Sequence, residues 1–317
     1  VKVTDHLAGR KRTLFSFEIL PPLKGKGIDA IFEGIDPLME FEPPFINVTY
    51  HREEYVYKNY PNDLLKKVSI RKRPGTVGIC AAIINKYNID AVPHLICGGF
   101  SLEETENALI DLHFLGIDNV LALRGDPIKS ESSFVPEEGG HRYAVDLIRQ
   151  IKGLNEGHYL HEESQNQTRT DFCIGTAGYP EKHYEALSMK TDLAFLKQKV
   201  DAGASYITTQ MFFDNAKFFE FEEKCRKAGI NVPIIPGLKP ITNLRHIAFL
   251  PKTFNIDFPD ALADELVRCK SDEDVRALGV EWAIAQSKEL IAAGVPCLHY
   301  YTMGKSAAVR EIAKAVF

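Results

Sequence analysis

Residues 101–126 read Ser101-Leu-Glu-Glu-Thr-Glu-Asn-Ala-Leu-Ile-Asp-Leu-His-Phe-Leu-Gly-Ile-Asp-Asn-Val-Leu-Ala-Leu-Arg-Gly-Asp126, one structural unit complete with its punctuation. Ser101 followed by Glu104 is a capping box, and it starts a helix that runs to about Leu115. Gly116 supplies the left-handed residue that stops the helix, and the apolar run 119–125 follows as a strand. The same junction recurs at Ala202-Gly203-Ala204, Ala228-Gly229-Ile230 and Ala293-Gly294-Val295. Repetition of helix, glycine and strand is what successive βα units require.

Working outward, apolar runs at 14–20, 45–50, 91–97, 172–179, 206–213, 232–238 and 297–303 bring the expected strands to eight. They are nearly continuous rather than alternating, as parallel strands covered on both faces must be. Eight such strands in 317 residues, with no linker-like break, predict an α/β fold: a single (β/α)8 TIM barrel over 1–317. A doubly wound sheet would carry Gly-x-Gly-x-x-Gly after its first strand. Pro21-Pro-Leu-Lys-Gly-Lys-Gly27 has no such fingerprint. Polar excursions at 127–140 and 155–170, and an extra helical stretch near 259–292, stand outside the repeat.

Composition excludes several classes. A net charge of −5 gives no general field for nucleic acid or a membrane surface. No run of about eighteen apolar residues is present, so no transmembrane helix is expected. The first residues carry no apolar signal-peptide core, and the six cysteines are scattered without a Cys-x-x-Cys pair. The expectation is a reducing cytoplasm and no metal site.

The chemistry collects where strands end. Glu18 sits in Leu14-Phe-Ser-Phe-Glu-Ile-Leu20, an apolar strand that stops at Pro21-Pro22. Burying that carboxyl without a partner raises its pKa and makes it a proton donor near neutral pH. A strand-end glutamate turned to solvent is the plainer alternative. Thr49-Tyr50-His51, His94, Arg124-Gly125-Asp126, Thr176 to Tyr179, Gln210, Lys239 and Tyr300-Tyr301 follow at later strand ends. Arg124-Gly125-Asp126 suits an anionic ligand group, or a developing cation held by Asp126, and equally an Arg–Asp ion pair. His158 and His161 fall in a polar excursion and read as solvated loop rather than metal ligands. On the helix at about 189–202, Leu193, Leu196 and Val200 should face the barrel. Spacing alone makes the neighbouring stripe Asp192, Phe195 and Lys199 a solvated face.

Longer runs then point to a family. They are Phe15-Ser-Phe-Glu-Ile-Leu-Pro-Pro22, Asn47-Val-Thr-Tyr50, Pro93-His-Leu95, Ala122-Leu-Arg-Gly-Asp126 and Ala177-Gly-Tyr-Pro-Glu181 with His183. Further on come Leu196-Lys-Gln-Lys-Val-Asp-Ala-Gly-Ala204, Thr209-Gln-Met-Phe-Phe-Asp214, Ile234-Ile-Pro-Gly237 and His299-Tyr-Tyr-Thr302. With these runs in order at compatible spacings, the chain resembles the methylenetetrahydrofolate reductases over essentially its whole length, in their bacterial form without a regulatory domain.

The resemblance implies FAD at the C-terminal face of the barrel strands. Thr49, Tyr50, His94, Arg124, Gly125, Asp126, Tyr143, Ala144, Ala177, Tyr179, His183, Asp192 and Lys199 match its flavin-binding positions. On this reading the charged stripe on the 189–202 helix becomes a wall of the FAD site. Glu18 matches the general acid, Gln210 the residue that binds the pterin, and Asp126 a second catalytic residue that also meets the substrate. Lys305 takes the place of a common Arg near the folate, keeping the charge without the planar fork. His246 and Leu250 stand where some members have Gln and Phe, and Phe195 where some have Asn.

The implied reaction reduces 5,10-methylenetetrahydrofolate to 5-methyltetrahydrofolate. NADH or NADPH gives hydride to FAD, leaves, and is replaced by the folate in a ping-pong sequence that feeds methionine synthesis. Small-molecule partners, a homo-oligomer and a cytoplasmic location go with it. Two rivals differ in kind. One is a lyase or aldolase barrel using Lys239 as a Schiff-base nucleophile, and the other is a folate-binding barrel without redox turnover.

Overall fold

In the computed structural model, which describes residues 1–62, 64–128, 130–161 and 167–317, the eight apolar runs line up in one parallel ladder. The chain begins with α1 (Val3–Gly9), β1 (Leu14–Ile19), α2 (Asp29–Ile35) and β2 (Phe45–Val48). A hairpin of β3 (Glu54–Tyr60) and β4 (Leu64–Ile70) leads to α3 (Thr76–Tyr87), β5 (Asp90–Ile96), α4 (Leu102–Phe114), β6 (Asn119–Leu123) and α5 (Ala144–Glu156). Then come β7 (Cys173–Gly178), α6 (Met189–Asp201), β8 (Tyr206–Thr209), α7 (Asn215–Lys227), β9 (Ile234–Ile235) and β10 (Gly237–Leu238). The chain finishes with α8 (Leu244–Phe254), α9 (Asp260–Leu266), α10 (Asp272–Ala292), β11 (Cys297–Tyr301) and α11 (Ala307–Val316).

The barrel order is β10-β11-β1-β2-β5-β6-β7-β8-β9, parallel throughout. β9 and β10 are the two halves of one strand, broken at Pro236, so the ladder returns on itself with eight positions. Proline cannot donate to a ladder, but the Pro236 carbonyl accepts from His299 N at 3.1 Å and keeps the broken strand attached to β11.

Period-2 alternation sorts each strand into an outer and an inner row. Outward residues such as Phe15, Phe17, Val48, Ile174, Ile207, Leu238 and Leu298 pack beneath the helices in the main core. Inward Phe45, Val92, Leu121, Cys173, Tyr206, Ile235 and Cys297 form the bottom layer, which Val3 and Leu7 of α1 close from below. One step up the inner rows, the layer turns polar at Ser16, Asn47, His94 and His299, all buried. At Gly175, in the same layer, an added Cβ would lie 2.3 Å from the Tyr206 ring, so glycine is what lets that ring fill the barrel. Two residues further stand Glu18, Ala177, Gln210, Lys239 and Tyr301, at the mouth.

Two departures from the sequence reading concern the connections. The β3–β4 hairpin was not anticipated, and it leans on the 127–140 excursion through Tyr55 Oη to Glu137 at 3.2 Å. That excursion buries Ile128 and Phe134, and Glu131 pairs with Arg52 at 2.6 Å, so it is an anchored loop. The extra helical stretch expected near 259–292 is present, as α9 and α10. Of the 155–170 excursion, 155 and 156 complete α5, and 162–166 lie outside the described residues. Among the described residues no helix is long and apolar enough to cross a membrane.

Candidate active site at the carboxyl ends of the strands

Glu18 is the last inward residue of β1. Its Oε2 lies 3.5 Å from His94 Nε2, with the two side chains only 12% and 7% exposed. Burial pushes the Glu18 carboxyl up to about 8, and the nearby charge of Lys239 opposes the rise. The partnerless carboxyl expected from sequence therefore has two neighbours. His94 is held down to about 3, by burial first and then by His299 and His51, so near neutral pH its ring is uncharged. The contact then joins a protonated carboxyl to a neutral imidazole. Asn47 Nδ2 adds a 3.3 Å contact to the same ring nitrogen.

Beneath this pair, Ser16 Oγ meets His299 Nδ1 at 2.9 Å, and His299 Nε2 is buried without a hydrogen-bond partner among the described residues. Burial holds His299 down to about 3 as well. Two uncharged histidines thus line the floor under Glu18. Ser16 and His299 stand two residues before Glu18 and Tyr301, so the inner-row alternation contained the signal for both.

The opposite side is cationic. Lys239, just past β10, is 6% exposed and is lowered to about 8 by burial, with Glu18 opposing and Lys305 assisting. His246, on α8, is lowered to about 4 by burial and by Lys239, Lys305 and Arg245. Tyr301 Oη donates to Thr209 O at 2.5 Å, and Thr302 Oγ1 donates to the Glu18 carbonyl at 2.7 Å. Gln210 fixes its side chain by accepting from Met211 N at 2.9 Å.

The ends of β5, β6 and β7 make a second wall. The Arg124 guanidinium grips Glu185 with both prongs, Nη2 to Oε1 at 2.9 Å, and pulls that carboxylate down to about 2. Arg124 therefore does not pair with Asp126, because Glu185 from the loop before α6 has taken the fork. Asp126 is exposed and reaches His51 and Tyr179 only through its field. Gly125 has φ +85°, and a Cβ there would come within 3.1 Å of Ile96, so glycine is required between the two charges.

Lys199 Nζ donates to Ala177 O at 2.6 Å, and burial lowers it to about 8. Asp192 Oδ2 accepts from His183 N at 2.9 Å, and the His183 ring meets Tyr179 edge-on at 4.7 Å. Of the stripe that spacing alone made a solvated face, Lys199 is thus tied to the end of β7 and Asp192 to the loop after it, while Phe195 stays exposed. Tyr143, the residue before α5 and its first residue Ala144, is 52% exposed, and Phe195 on α6 is 53% exposed. Thr49 Oγ1 donates to Ile19 O at 3.2 Å, and the Tyr50 ring lies 5.0 Å from Phe100. A guanidinium, a half-buried ammonium, exposed aromatic rings and a glycine at a close approach suit a large aromatic anion.

Residues 2–316 match the family model described as methylenetetrahydrofolate reductase. The chain is 34% identical over 316 residues to methylenetetrahydrofolate reductase (NADH) 1 of Arabidopsis thaliana, which covers 96% of this chain and 48% of that protein. It is 32% identical over 292 residues to 5,10-methylenetetrahydrofolate reductase of Escherichia coli strain K12, covering 92% of this chain and 86% of that one. The chain thus spans about half the length of the plant and fission-yeast relatives it matches. Among solved structures, an uncharacterised protein from Clostridium thermocellum that binds two copies of 5-methyl-5,6,7,8-tetrahydrofolic acid superposes with a TM-score of 0.59. That comparison covers 98% of this chain and 97% of the other at 13% identity, and it reports on the shared fold.

Proposed function

The chain belongs to the methylenetetrahydrofolate reductase family, and on that premise we propose that it reduces 5,10-methylenetetrahydrofolate to 5-methyltetrahydrofolate with NADH or NADPH as reductant. The observation that carries the proposal is Glu18, a carboxyl raised to about 8 at the barrel mouth over two uncharged histidines. It holds its proton at neutral pH at the mouth of the barrel, level with Lys239 and Tyr301. Arg124, Gly125, Lys199, Tyr143 and Tyr179, with Thr49 and Tyr50, are the residues that would hold FAD. Bound there, FAD supplies reversible uptake and delivery of a hydride.

The chain's own part is proton handling and orientation. Glu18 gives its proton to the bridging amine nitrogen of the folate, and the five-membered ring opens to a cation at the one-carbon unit. His94, held uncharged, adds no positive charge beside that cation. Asp126 contributes negative potential to the same region, and Gln210 orients the pterin. Lys305 offers a cation to the folate's carboxylate end. The two substrates alternate at one face, which accounts for the missing dinucleotide fingerprint. On this reading the enzyme is cytoplasmic and homo-oligomeric and supplies methyl groups for methionine synthesis.

The test is a visible spectrum of the purified protein followed by anaerobic titration. A yellow protein bleached by NADH or NADPH and recoloured by methylenetetrahydrofolate is expected. A colourless protein that takes up no added FAD would sink the proposal. One observation favours a second reading: the lowered ammonium of Lys239 is what a Schiff-base lyase needs. Borohydride inactivation dependent on a carbonyl substrate would support it.

A further inference from the structure

Lys239 has no assigned role in the reaction, yet it is built into the barrel mouth. β10 pairs Leu238 with Tyr300, and β1 pairs Glu18 with Tyr301. One step beyond Leu238, Lys239 is therefore level with Tyr301 and Glu18 across three adjacent strands. Leu238 and Tyr300 belong to the outer core, so the alternation turns Lys239 and Tyr301 inward, on the side of Glu18. Lys239 is 6% exposed. Among the described residues it makes no hydrogen bond, and no ion pair within 4.0 Å joins it to Glu18 or to any other carboxylate. The side chain is mostly buried while its ammonium nitrogen still touches solvent at the mouth, and an ammonium so placed without a partner is costly. Here it faces a carboxyl across a gap.

We propose that Lys239 is a positioning residue for the proton chemistry of Glu18: its ammonium balances the negative charge left on the carboxyl when the proton departs. This rests on the functional reading above. The proton passes from the Glu18 O–H bond to the lone pair of the folate amine, and no electrons move between the protein groups. What remains is a carboxylate facing an ammonium, which is the cheaper product state in a dry site. The other groups do not substitute for Lys239. His94 is uncharged against Glu18, and Tyr301 spends its proton on Thr209 O. On the far side Lys239 faces Lys305 and His246, and His246 in turn faces Arg245 and Asp272. Lys305 is a cation that disfavours the Lys239 ammonium, and Glu18 is the group that favours it.

The experiment uses the FAD-loaded protein with Lys239→Met and Lys239→Arg. The protonated carboxyl band of Glu18, identified by its absence in Glu18→Gln, is followed by difference infrared spectroscopy as pH rises. Removing the cation should move its titration upward by about one pH unit or more, while Lys239→Arg holds it near the wild-type position. The upper limb of the pH profile for the folate half-reaction should move with it, and the nicotinamide half-reaction should keep its profile. A Lys239→Met protein whose Glu18 band titrates where the wild type does would overturn the proposal. The infrared reading needs no turnover, so failure of folate reduction in the wild-type protein would count against the functional reading alone.

Discussion

His94 Nε2 stands 3.5 Å from Glu18 Oε2, and the two groups titrate in opposite directions: burial raises the carboxyl to about 8 and lowers the imidazole to about 3. A geometry that looks like an ion pair is therefore, near neutral pH, a contact between two uncharged groups. The difference decides function, because an ionised Glu18 has no proton to give. The barrel enforces it by closing the bottom with α1 and placing His299 in the layer below.

Glu18→Gln separates proton donation from hydride chemistry. The amide is close in shape and keeps the mouth packed but cannot act as an acid. Folate reduction by the reduced enzyme should fall by about 10²- to 10⁴-fold, while flavin reduction by NADH or NADPH stays within a few-fold of wild type. Rapid-mixing absorbance of each half-reaction reads both. Equal loss in the two would refute the assignment.

The same carboxyl makes stability depend on pH. Its folded value, about 8, is raised above the ordinary 4.5, so the folded chain keeps a proton that the unfolded chain releases. The stability this contributes is fully present below 4.5 and is lost as pH rises through about 8. His94 and His299 have the opposite sign, losing stability as pH falls from 6.5 toward about 3. Between about pH 5 and pH 8 the wild type should lose on the order of a few kcal/mol that Glu18→Gln does not lose. Thermal melts of both proteins across that range check it. Parallel curves would show that Glu18 is not held protonated.

The barrel was legible because its strands are covered on both sides and so read as unbroken apolar runs. The helix stops were legible because Gly116, Gly203, Gly229 and Gly294 all have positive φ, which only glycine adopts cheaply. Glu18 stood out as a carboxyl where the pattern demanded a hydrophobe. The β3–β4 hairpin did not stand out, since it packs little against the barrel and many of its residues are exposed. Pairings across the barrel were equally hidden. Arg124 and Glu185 are 61 residues apart, and Lys239 faces Glu18 only because the barrel closes between its last strands and its first. Such partners depend on closure geometry, not on local spacing.

Arg124 is expected to serve FAD through its fork rather than its charge. Lys keeps the charge and loses the two-pronged geometry, so Arg124→Lys should weaken FAD binding by about tenfold. Glu185→Gln weakens the competing grip on that fork and should tighten FAD binding instead. Titration of the flavin-free protein, followed by quenching of flavin fluorescence, measures both. If both substitutions weaken binding alike, Glu185 is part of the FAD site rather than a competitor for Arg124.

Gly237 tests how tightly the mouth is built. An added Cβ would lie 2.2 Å from Thr209 O and 2.6 Å from Tyr301 Oη. Those two atoms are already bonded to each other at 2.5 Å, and Gly237 N is tied to Thr209 Oγ1 at 2.9 Å. The carbonyl belongs to the end of β8 and cannot withdraw, so the tyrosine must move and the strand carrying Lys239 with it. Gly237→Ala should cost about 1–3 kcal/mol or more in stability. It should also depress the folate half-reaction well beyond the nicotinamide one. Gly34 on α2 is the matched control: among the described residues nothing lies within 4 Å of its added Cβ. In that helix, Gly34→Ala should stabilise by about 0.5–1 kcal/mol and leave both half-reactions unchanged. Chemical denaturation of the two variants decides it, and a Gly237→Ala protein as stable and active as the control would mean that Tyr301 is not held where it stands.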